Sequence, residues 1–355
     1  MAVARPHRRT LPLCVLLAPV LAAACIAVPS AGRAAERPPA LLSLPGEARL
    51  ELASGERIAA HLPEGAALDT TATLDTGWLA AGTQPIAGKK TGKEGARDLL
   101  LLTGDSQSAT ALPSPSGQTG TLRQEPLPLV DGGRLEGLAW LEGENSRSFG
   151  VRFAAWNGAG WDMPQTVAPP GPGSQLALTA ARLSDGSWLL AWSAFDGHDD
   201  EIVWTRGKNG AWSRPRRVTA DNAWPDTTPA LTVTGNGALL AWSRYDGNDY
   251  RIVISRFRNG KWTRPEASAG AGTFYPTFEP ASGPTSGQPS LLLYRTAVPQ
   301  GWEALAVDTA GRPLRRALVQ ADRKARPQIL ATSEGVTFRW PGSDTVRAAV
   351  WERKP

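Results

Sequence analysis

The sequence predicts an all-β protein, a β-propeller of about six four-stranded sheets, with seven as the alternative. The triplet Leu-Ala-Trp recurs at 138–140, 190–192 and 240–242, at intervals of 52 and 50 residues, and related triplets follow at 292–294 and 338–340. The intervals contain short runs of β-branched and aromatic residues separated by Asn-Gly or Asp-Gly, which are strong hairpin signals. Outside the first 34 residues the chain shows no convincing apolar period of 3.6 residues. A repeated four-stranded unit of about fifty residues is typical of a propeller blade, which buries both faces only by stacking on its neighbours.

The first 34 residues predict export. Three arginines (5, 8 and 9) precede an apolar run over 11–28, and small residues follow, so we expect a signal peptide cleaved after Ala34. The alternative is an uncleaved anchor, because the run is about long enough to span a bilayer. A third alternative is lipidation of Cys25, since Leu21-Ala22-Ala23-Ala24-Cys25 is similar to a lipoprotein box with its leucine one place too far upstream. We therefore expect a periplasmic or secreted protein without a membrane span after processing, or an outer-membrane lipoprotein.

Charge and cysteine content exclude several classes of function. The first 34 residues hold four of the 38 Lys and Arg and none of the 33 Asp and Glu, which leaves 34 bases against 33 acids. A nearly neutral mature chain does not predict nucleic-acid binding. Both cysteines, Cys14 and Cys25, precede Ala34, and only His61 and His198 remain as histidines. We expect no disulfide, no thiolate nucleophile, no metal site and no cofactor.

The repeats divide the mature chain into units. We predict a linker over 35–45 and a single propeller domain over 46–355, with loops at 87–97 and 112–120. Its units lie at about 70–130, 131–170, 171–220, 221–270, 271–320 and 321–355. The alternating segment Glu47–Leu52 predicts that residues 46–60 complete the last unit and close the ring. In the best repeat, strands are expected at 229–234, 238–244, 250–257 and 261–267. Trp140, Trp192 and Trp242 are expected to fill the space between sheets.

Two motifs resemble a known repeat family. Asp-Gly-x-Asp-x-x-Ile occurs at 196–202 and 246–252, and Asn-Gly-x-Trp-Ser/Thr-x-Pro occurs at 209–215 and 259–265. Over about 135–270 the pattern resembles the BNR or Asp-box repeats of the sialidase superfamily. The resemblance implies a propeller with a Ser-x-Asp-x-Gly-x-x-Trp hairpin between the two outer strands of each sheet. Ser255 and Trp262 match this pattern, whereas Phe257 replaces the aspartate and the glycine comes one place late.

The resemblance also implies what a catalytic member would contain. Catalytic sialidases use three arginines, a tyrosine nucleophile activated by a glutamate, and an aspartate as acid/base. The chain has no Arg-Ile-Pro segment of the kind that carries the first arginine, and only four tyrosines, Tyr245, Tyr250, Tyr275 and Tyr294. We therefore interpret the protein as a degenerate, non-catalytic relative.

A ligand site is expected on one face of the propeller. Trp224-Pro225 and Tyr275-Pro276 occur in consecutive units, and Arg326-Pro327 continues the pattern. These segments join an outer strand to the next inner strand, on the same face as the Asp-Gly-x-Asp turns. Aromatic rings stack on sugars and carboxylates accept hydrogen bonds from hydroxyl groups. The predicted ligand-binding residues are Trp224, Tyr275, Asp199, Asp249, Asp226 and Arg326. The alternative is structural: the aromatic rings fill grooves between sheets and the aspartates shape turns.

Three functions remain open from the sequence. The first is an exported binding propeller that recognises a glycan, a peptide or a protein on one face. The second is a sialidase-like or other glycoside hydrolase or lyase that uses carboxylates at the sheet tips, since glycosidic bonds are cleaved by paired carboxyl groups. The third is a structural component of a cell-envelope assembly with an envelope or extracellular protein as its partner.

Overall fold

A computed structural model describes residues 40–44, 47–51, 57–91, 94–105, 107–115, 121–219, 222–235, 237–279, 289–322, 325–340 and 346–353. Every regular element in these ranges is a β-strand. The predicted signal peptide, its cleavage site and Cys25 lie outside the described residues. Across these same ranges, no helix is long and apolar enough to cross a membrane.

The described strands form seven antiparallel sheets. Sheet 1 contains β1 (Ala40–Leu44), β2 (Glu47–Glu51) and β3 (Arg57–His61); sheet 2 contains β4 (Ala67–Leu74), β5 (Gly77–Thr91), β6 (Glu94–Gly104) and β7 (Ala109–Leu112). Sheet 3 contains β8 (Leu122–Asp131), β9 (Arg134–Gly143), β10 (Phe149–Ala155) and β11 (Gln165–Ala168). Sheet 4 contains β12 (Gln175–Arg182), β13 (Trp188–Phe195), β14 (Asp200–Lys208), β15 (Ala211–Trp212) and β16 (Arg216–Arg217).

The remaining three sheets continue this order. Sheet 5 contains β17 (Asp226–Thr234), β18 (Gly237–Tyr245), β19 (Tyr250–Arg258), β20 (Lys261–Trp262) and β21 (Glu266–Ala267). Sheet 6 contains β22 (Thr273–Phe278), β23 (Ser290–Thr296), β24 (Gly301–Val307), β25 (Pro313–Gln320) and β29 (Glu352–Arg353); sheet 7 contains β26 (Gln328–Ala331), β27 (Gly335–Arg339) and β28 (Val346–Val350). The all-β propeller class expected from the repeat is confirmed, and the sheet count matches the alternative of seven.

Two local expectations are corrected and one stays a prediction. Within the described residues β2 pairs with β1 and β3, so completion of the last unit by residues 46–60 stays a prediction. The expected linker over 35–45 contains a strand, β1, and the expected loop over 87–97 lies within a hairpin in which Lys90 pairs with Gly95. The sheets at the two chain ends nevertheless meet, since Arg339 of β27 forms an ion pair with the buried Glu51 of β2.

The recurring tryptophans fill the space between sheets, as expected. Trp140, Trp192 and Trp242 are fully buried, and each packs against the preceding sheet. Trp192, for example, lies in a cluster with Leu129 and Phe153 of sheet 3. Burial of such a large apolar side chain contributes about 2–3 kcal/mol to folding stability. The repeated tryptophan therefore stabilises the packing of each sheet on the one before it.

The best repeat matches its predicted strands within three residues, except at the outer edge. There the strand is split into β20 and β21, which both pair with β19 and are separated by Thr263–Pro265. Proline has no N–H to donate, so it interrupts the ladder where an edge tolerates the loss. The β19–β20 hairpin lies between the two outer strands, and Phe257 packs there on Trp262 and on Trp204 of sheet 4, with ring centroids 5.0 and 5.3 Å away.

Candidate functional site

One position near the start of the first strand repeats from sheet to sheet. The pairing of the first two strands shifts there in sheets 2 to 6. The residues at this position are Asp69, Glu125, Ala177, Thr228 and Tyr275. Four of them have φ between +49° and +57° (Glu125, Ala177, Thr228 and Tyr275), a left-handed conformation that is uncommon for residues with a side chain. The irregularity is therefore a recurring feature of sheets 2 to 6.

Sheet 7 extends the series to Arg326. Gln328 pairs with Arg339 just before Trp340, as Thr277 pairs with Leu293 just before Tyr294. Arg326-Pro327 therefore corresponds to Tyr275-Pro276. The same register corrects the alignment expected from the sequence, because Tyr275 corresponds to Thr228 and not to Trp224. The six equivalent residues, from Asp69 to Arg326, are called the inner-strand series below.

Two neighbouring members of the inner-strand series are carboxylic acids. The backbone N–H of Leu178 donates a hydrogen bond to Glu125 Oε2 at 3.1 Å. Desolvation raises the pKa of Glu125 in spite of such bonds, and the negative charge of Asp69 raises it further. Surrounding protein atoms also raise the pKa of Asp69, although its side chain is accessible to solvent and Arg97 opposes the shift. Both acids therefore favour the protonated form more than free carboxyl groups do.

The other end of the series offers an aromatic ring and a cation. Tyr275 is 54% exposed and lies edge-on to Phe274, with centroids 5.1 Å apart. Its backbone N–H donates to Ser243 Oγ at 3.0 Å, which fixes the strand beneath the ring. Arg326 is partly exposed and donates from Nη2 to Oε1 of the largely buried Glu279 side chain at 2.8 Å.

Trp224 lies in the connection between sheets 4 and 5. It is 46% exposed, and its ring stands edge-on to Tyr245 with centroids 5.8 Å apart. The ring also covers Gly247 so closely that a Cβ atom there would approach within 2.9 Å. Two features require glycine at position 247: the close approach of the Trp224 ring and a backbone φ of +92°. Trp224 is thus held over the Asp-Gly turn of sheet 5 with one part of its ring open to solvent.

The two Asp-Gly turns each contain two aspartates with different surroundings. Asp196 Oδ1 accepts hydrogen bonds from the backbone N–H groups of His198 and Asp199, and Asp246 repeats this arrangement in sheet 5. Asp196 and Asp246 are therefore turn residues, as the structural alternative supposed. Asp199 and Asp249 occupy the next equivalent position, where Asp199 is buried and Asp249 is half-buried.

Asp226 is placed differently from the expectation that it contacts a ligand. The residue is fully buried, and its carboxylate accepts from Arg244 Nε at 2.7 Å and Nη2 at 2.5 Å. A bidentate pair of this kind occupies both carboxylate oxygens. We therefore assign Asp226 a structural role at the junction of sheets 4 and 5.

Sequence reasoning did not single out Glu201, a buried acid whose pKa is raised. The side chain is fully buried, and burial raises its pKa to about 7, with further contributions from Asp226 and Asp199. Glu201 Oε1 accepts from the backbone N–H and Nδ2 of Asn222 at 3.2 and 3.1 Å. Asn222 Oδ1 in turn accepts a hydrogen bond from the backbone N–H of Trp224 at 3.0 Å. Glu201 thus anchors the connection that carries Trp224.

Sequence reasoning also missed Asp69 and Glu125, although a signal for Glu125 was present. An X-Pro pair precedes the buried tryptophan by 13 or 14 residues in three repeats, at Pro126, Pro229 and Pro327. Asp69 lacks the proline and lies in a weak repeat. Over the described ranges, no group of three or more His, Cys, Asp or Glu is arranged to hold a metal ion.

Comparison with known proteins establishes the fold. No family model and no curated protein matches the sequence. An ulvan lyase of a new polysaccharide lyase family, solved alone and bound to -[GlcA(1-4)Rha3S]-, is 9% identical, with a TM-score of 0.52 over 90% of this chain and 97% of its own. A protein of unknown function from Dyadobacter fermentans is 14% identical, with a TM-score of 0.49 over 82% of this chain and 96% of its own. At 9% identity, the likeness to the ulvan lyase shows a common fold and nothing further.

Proposed function

We propose that this protein binds a glycan at the inner-strand series. The observation that supports this proposal is the common position of Asp69, Glu125, Tyr275 and Arg326 in their sheets. In a propeller the first strands line the central channel, so equivalent residues at their starts surround the channel mouth. Sugar-binding sites combine aromatic faces for C–H groups with polar groups for hydroxyls, and the series supplies both kinds.

The series also suggests the orientation of a ligand. Asp69 and Glu125 form an acidic side that can accept hydrogen bonds from sugar hydroxyls. Tyr275 and Arg326 form the opposite side, where a ring can stack and a guanidinium can donate to ring or hydroxyl oxygens. Trp224 and Asp249, on neighbouring connections of the same face, would extend the site outward. Asp199 contributes through its effect on the pKa of Glu201 more than through direct contact, because it is buried.

A glycan-array screen of the purified protein, with Tyr275→Ala and Trp224→Ala beside it, tests this proposal. We expect binding that Tyr275→Ala abolishes and Trp224→Ala weakens. The matched control is Trp351→Ala, a tryptophan at the far end of the chain that stacks on Arg315. Binding that survives in both Tyr275→Ala and Trp224→Ala would refute the proposed site. Silence across the array would favour a peptide or an envelope protein as the ligand.

A second candidate function is glycoside hydrolysis, and the raised pKa values of Asp69 and Glu125 favour it. Hydrolysis needs one carboxylic acid that protonates the leaving oxygen and one carboxylate that acts as base or nucleophile. Two interacting acids lose their protons in separate steps, so one of them can remain protonated while the other is ionised. We assign the acid role to Glu125, because Asp69 is the more accessible group.

Catalysis and binding are separated by conservative variants. If the site is hydrolytic, Glu125→Gln and Asp69→Asn each abolish release of reducing sugar from a bound glycan while leaving its affinity within about tenfold. A glycan that binds but is never cleaved by the unaltered protein would leave binding as the function.

We also propose that the protein works outside the cytoplasm. The support is the sequence of residues 1–34, with its basic start, apolar run and small residues before Ala34. Fractionation of cells that express the full chain, followed by N-terminal sequencing, would test cleavage after Ala34. Incorporation of labelled palmitate that Cys25→Ser abolishes would instead identify a lipoprotein.

A further inference from the structure

A groove of about 390 Å³ lies between sheets 3 and 4, and no member of the inner-strand series is among its lining residues. One wall comes from the connection between the two sheets and includes Pro169 and Pro172. The floor includes the fully buried Trp192 together with Ala194 and Phe195 of β13. The groove falls within the range of pockets that hold small ligands, about 300–1,000 Å³.

The groove is open because two residues differ from their equivalents in sheet 5. Asp226 and Arg244 pair across the first two strands of sheet 5, and their ion pair occupies this position there. In sheet 4 the equivalent pair is Gln175 and Ala194. Alanine leaves the space that a long arginine side chain takes up in the next sheet. At this position sheet 4 therefore differs from sheet 5 by a neutral side chain and a small one in place of an ion pair.

The outer wall of the groove is rich in arginine. Arg214, Arg216 and Arg217 line it, and Arg217 donates to Asp196 Oδ2 at 2.7 Å. Arg214 and Arg216 are exposed, and neither forms an ion pair with an acid in the described part of the chain. The corresponding outer strand of sheet 5 has Glu266 and Ala267 where sheet 4 has Arg216 and Arg217. Arg214 and Arg216 thus line the groove without an ion pair in the described ranges. Two acids line it as well, but Asp196 pairs with Arg217 and Glu201 accepts a hydrogen bond from Asn222.

We propose that this groove binds an acidic oligosaccharide, a sugar chain that carries carboxylate or sulfate groups. Arg214 and Arg216 would bind the oxyanions, for which the planar guanidinium offers two parallel N–H donors. The half-buried ring of Phe195 and the proline faces would contact the C–H surface of the sugar. This site does not depend on the inner-strand series, and it adds a preference for anionic ligands to the binding of glycans.

An acidic peptide is the competing occupant, and the walls favour the sugar. Extended peptides bind sheets mainly through backbone hydrogen bonds to an open edge. Pro169, Pro172 and Pro215 lack the N–H donors that such binding requires. Side chains must therefore provide most of the contacts in the groove. An oligosaccharide suits such a site better than a peptide does, because its charged groups and apolar faces lie on rigid rings.

Calorimetric titration with trigalacturonate tests the proposal, with the neutral galactotriose as the uncharged probe and tetraglutamate as the peptide probe. We expect trigalacturonate to bind, galactotriose to bind at least about tenfold more weakly, and rising salt to lower the affinity, since exposed charges are screened. Arg214→Ala/Arg216→Ala should weaken trigalacturonate binding about tenfold or more. The matched control is Arg264→Ala, which removes the equivalent of Arg214 from sheet 5 and should leave the affinity unchanged.

A second variant tests the cavity itself. Gln175→Asp/Ala194→Arg places in sheet 4 the ion pair that Asp226 and Arg244 form at the equivalent position of sheet 5. The backbone geometry at this position is therefore known to allow the pair. We expect this variant to fold and to lose trigalacturonate binding. Unchanged affinity in either double variant, or equal affinity for galactotriose, would overturn the proposal. Tighter binding of tetraglutamate than of trigalacturonate would reassign the groove to an acidic peptide.

Discussion

Asp226 and Arg244 form a bidentate ion pair inside sheet 5, with N–O distances of 2.7 and 2.5 Å, and the carboxylate is shielded from solvent. The pair joins the starts of β17 and β18. Ser193 of sheet 4 also donates to the Asp226 backbone carbonyl at 3.2 Å, so the same residue links two sheets. A conspicuous aspartate of the sequence therefore serves the scaffold.

Loss of this pair should destabilise the protein strongly. Asp226→Ala leaves the Arg244 guanidinium without its partner, and breaking a buried pair typically costs about 3–5 kcal/mol. We expect the lower end of that range, because Arg244 is partly exposed. Urea unfolding measures the effect. Arg251→Ala breaks the exposed pair with Asp246 and serves as the control, with an expected loss below about 1 kcal/mol. Equal losses in the two variants would contradict the structural role of Asp226.

Glu201 should make stability depend on pH. Its pKa is raised from 4.5 to about 7 in the folded protein by burial, Asp226 and Asp199, while Arg217 opposes the shift. The folded state therefore holds a proton that the unfolded state releases, and stability falls as pH rises from about 4.5 through about 7. Glu201→Gln removes this loss. Between about pH 5 and pH 8 we expect the stability of the variant to rise relative to the unaltered protein by about 2 kcal/mol.

Urea unfolding at several pH values measures the slope. Glu266→Gln, which neutralises an exposed carboxylate on β21, is the matched control and should follow the unaltered protein. Parallel curves for all three proteins would show that Glu201 is not the titrating group.

Asp69 should contribute to the raised pKa of Glu125. Desolvation is the main cause of that raised pKa and the negative charge of Asp69 adds to it, so Asp69→Asn should lower the pKa. Carbon NMR of the labelled glutamate carboxyl groups reports this pKa directly. The control is Asp185→Asn, in the turn between β12 and β13, where the carboxylate is held by Ser187 and Arg206. A Glu125 pKa that Asp69→Asn leaves in place would mean that the two acids are not coupled.

Phe257 should be a packing residue of the β19–β20 hairpin. The ring is buried between Trp204 and Trp262, and Phe257→Ala should cost about 3–5 kcal/mol, the usual cost of emptying such a site. Phe257→Asp would place a carboxylate in the same apolar site and should cost more. Phe274→Ala, which removes a less buried phenylalanine, is the comparison. Thermal unfolding distinguishes them, and a milder effect of Phe257→Asp than of Phe257→Ala would contradict this assignment.

The sequence by itself determined the repeat, the strands and the tryptophans between sheets. These features are local or recur at a fixed interval: Asn-Gly turns accept positive φ, and a large apolar residue at the same place in each repeat must be buried. The sequence also pointed to Tyr275 and Trp224, because each aromatic residue precedes a proline in consecutive repeats. It did not indicate that Tyr275 corresponds to Thr228, since strand register is set by pairing with the neighbouring strand.

Only the tertiary structure decided which polar residues work together. Asp69 and Glu125 belong to different sheets, and their charges interact because the stacking of sheets brings the two first strands side by side. Asp226 and Asp249 look alike in sequence, yet one is buried with Arg244 and the other is accessible. The groove of sheet 4 depends on Gln175 and Ala194, because these residues do not form the ion pair that Asp226 and Arg244 form at the equivalent position of sheet 5. Burial and electrostatic coupling act through space, so a residue's role follows from its neighbours in the fold.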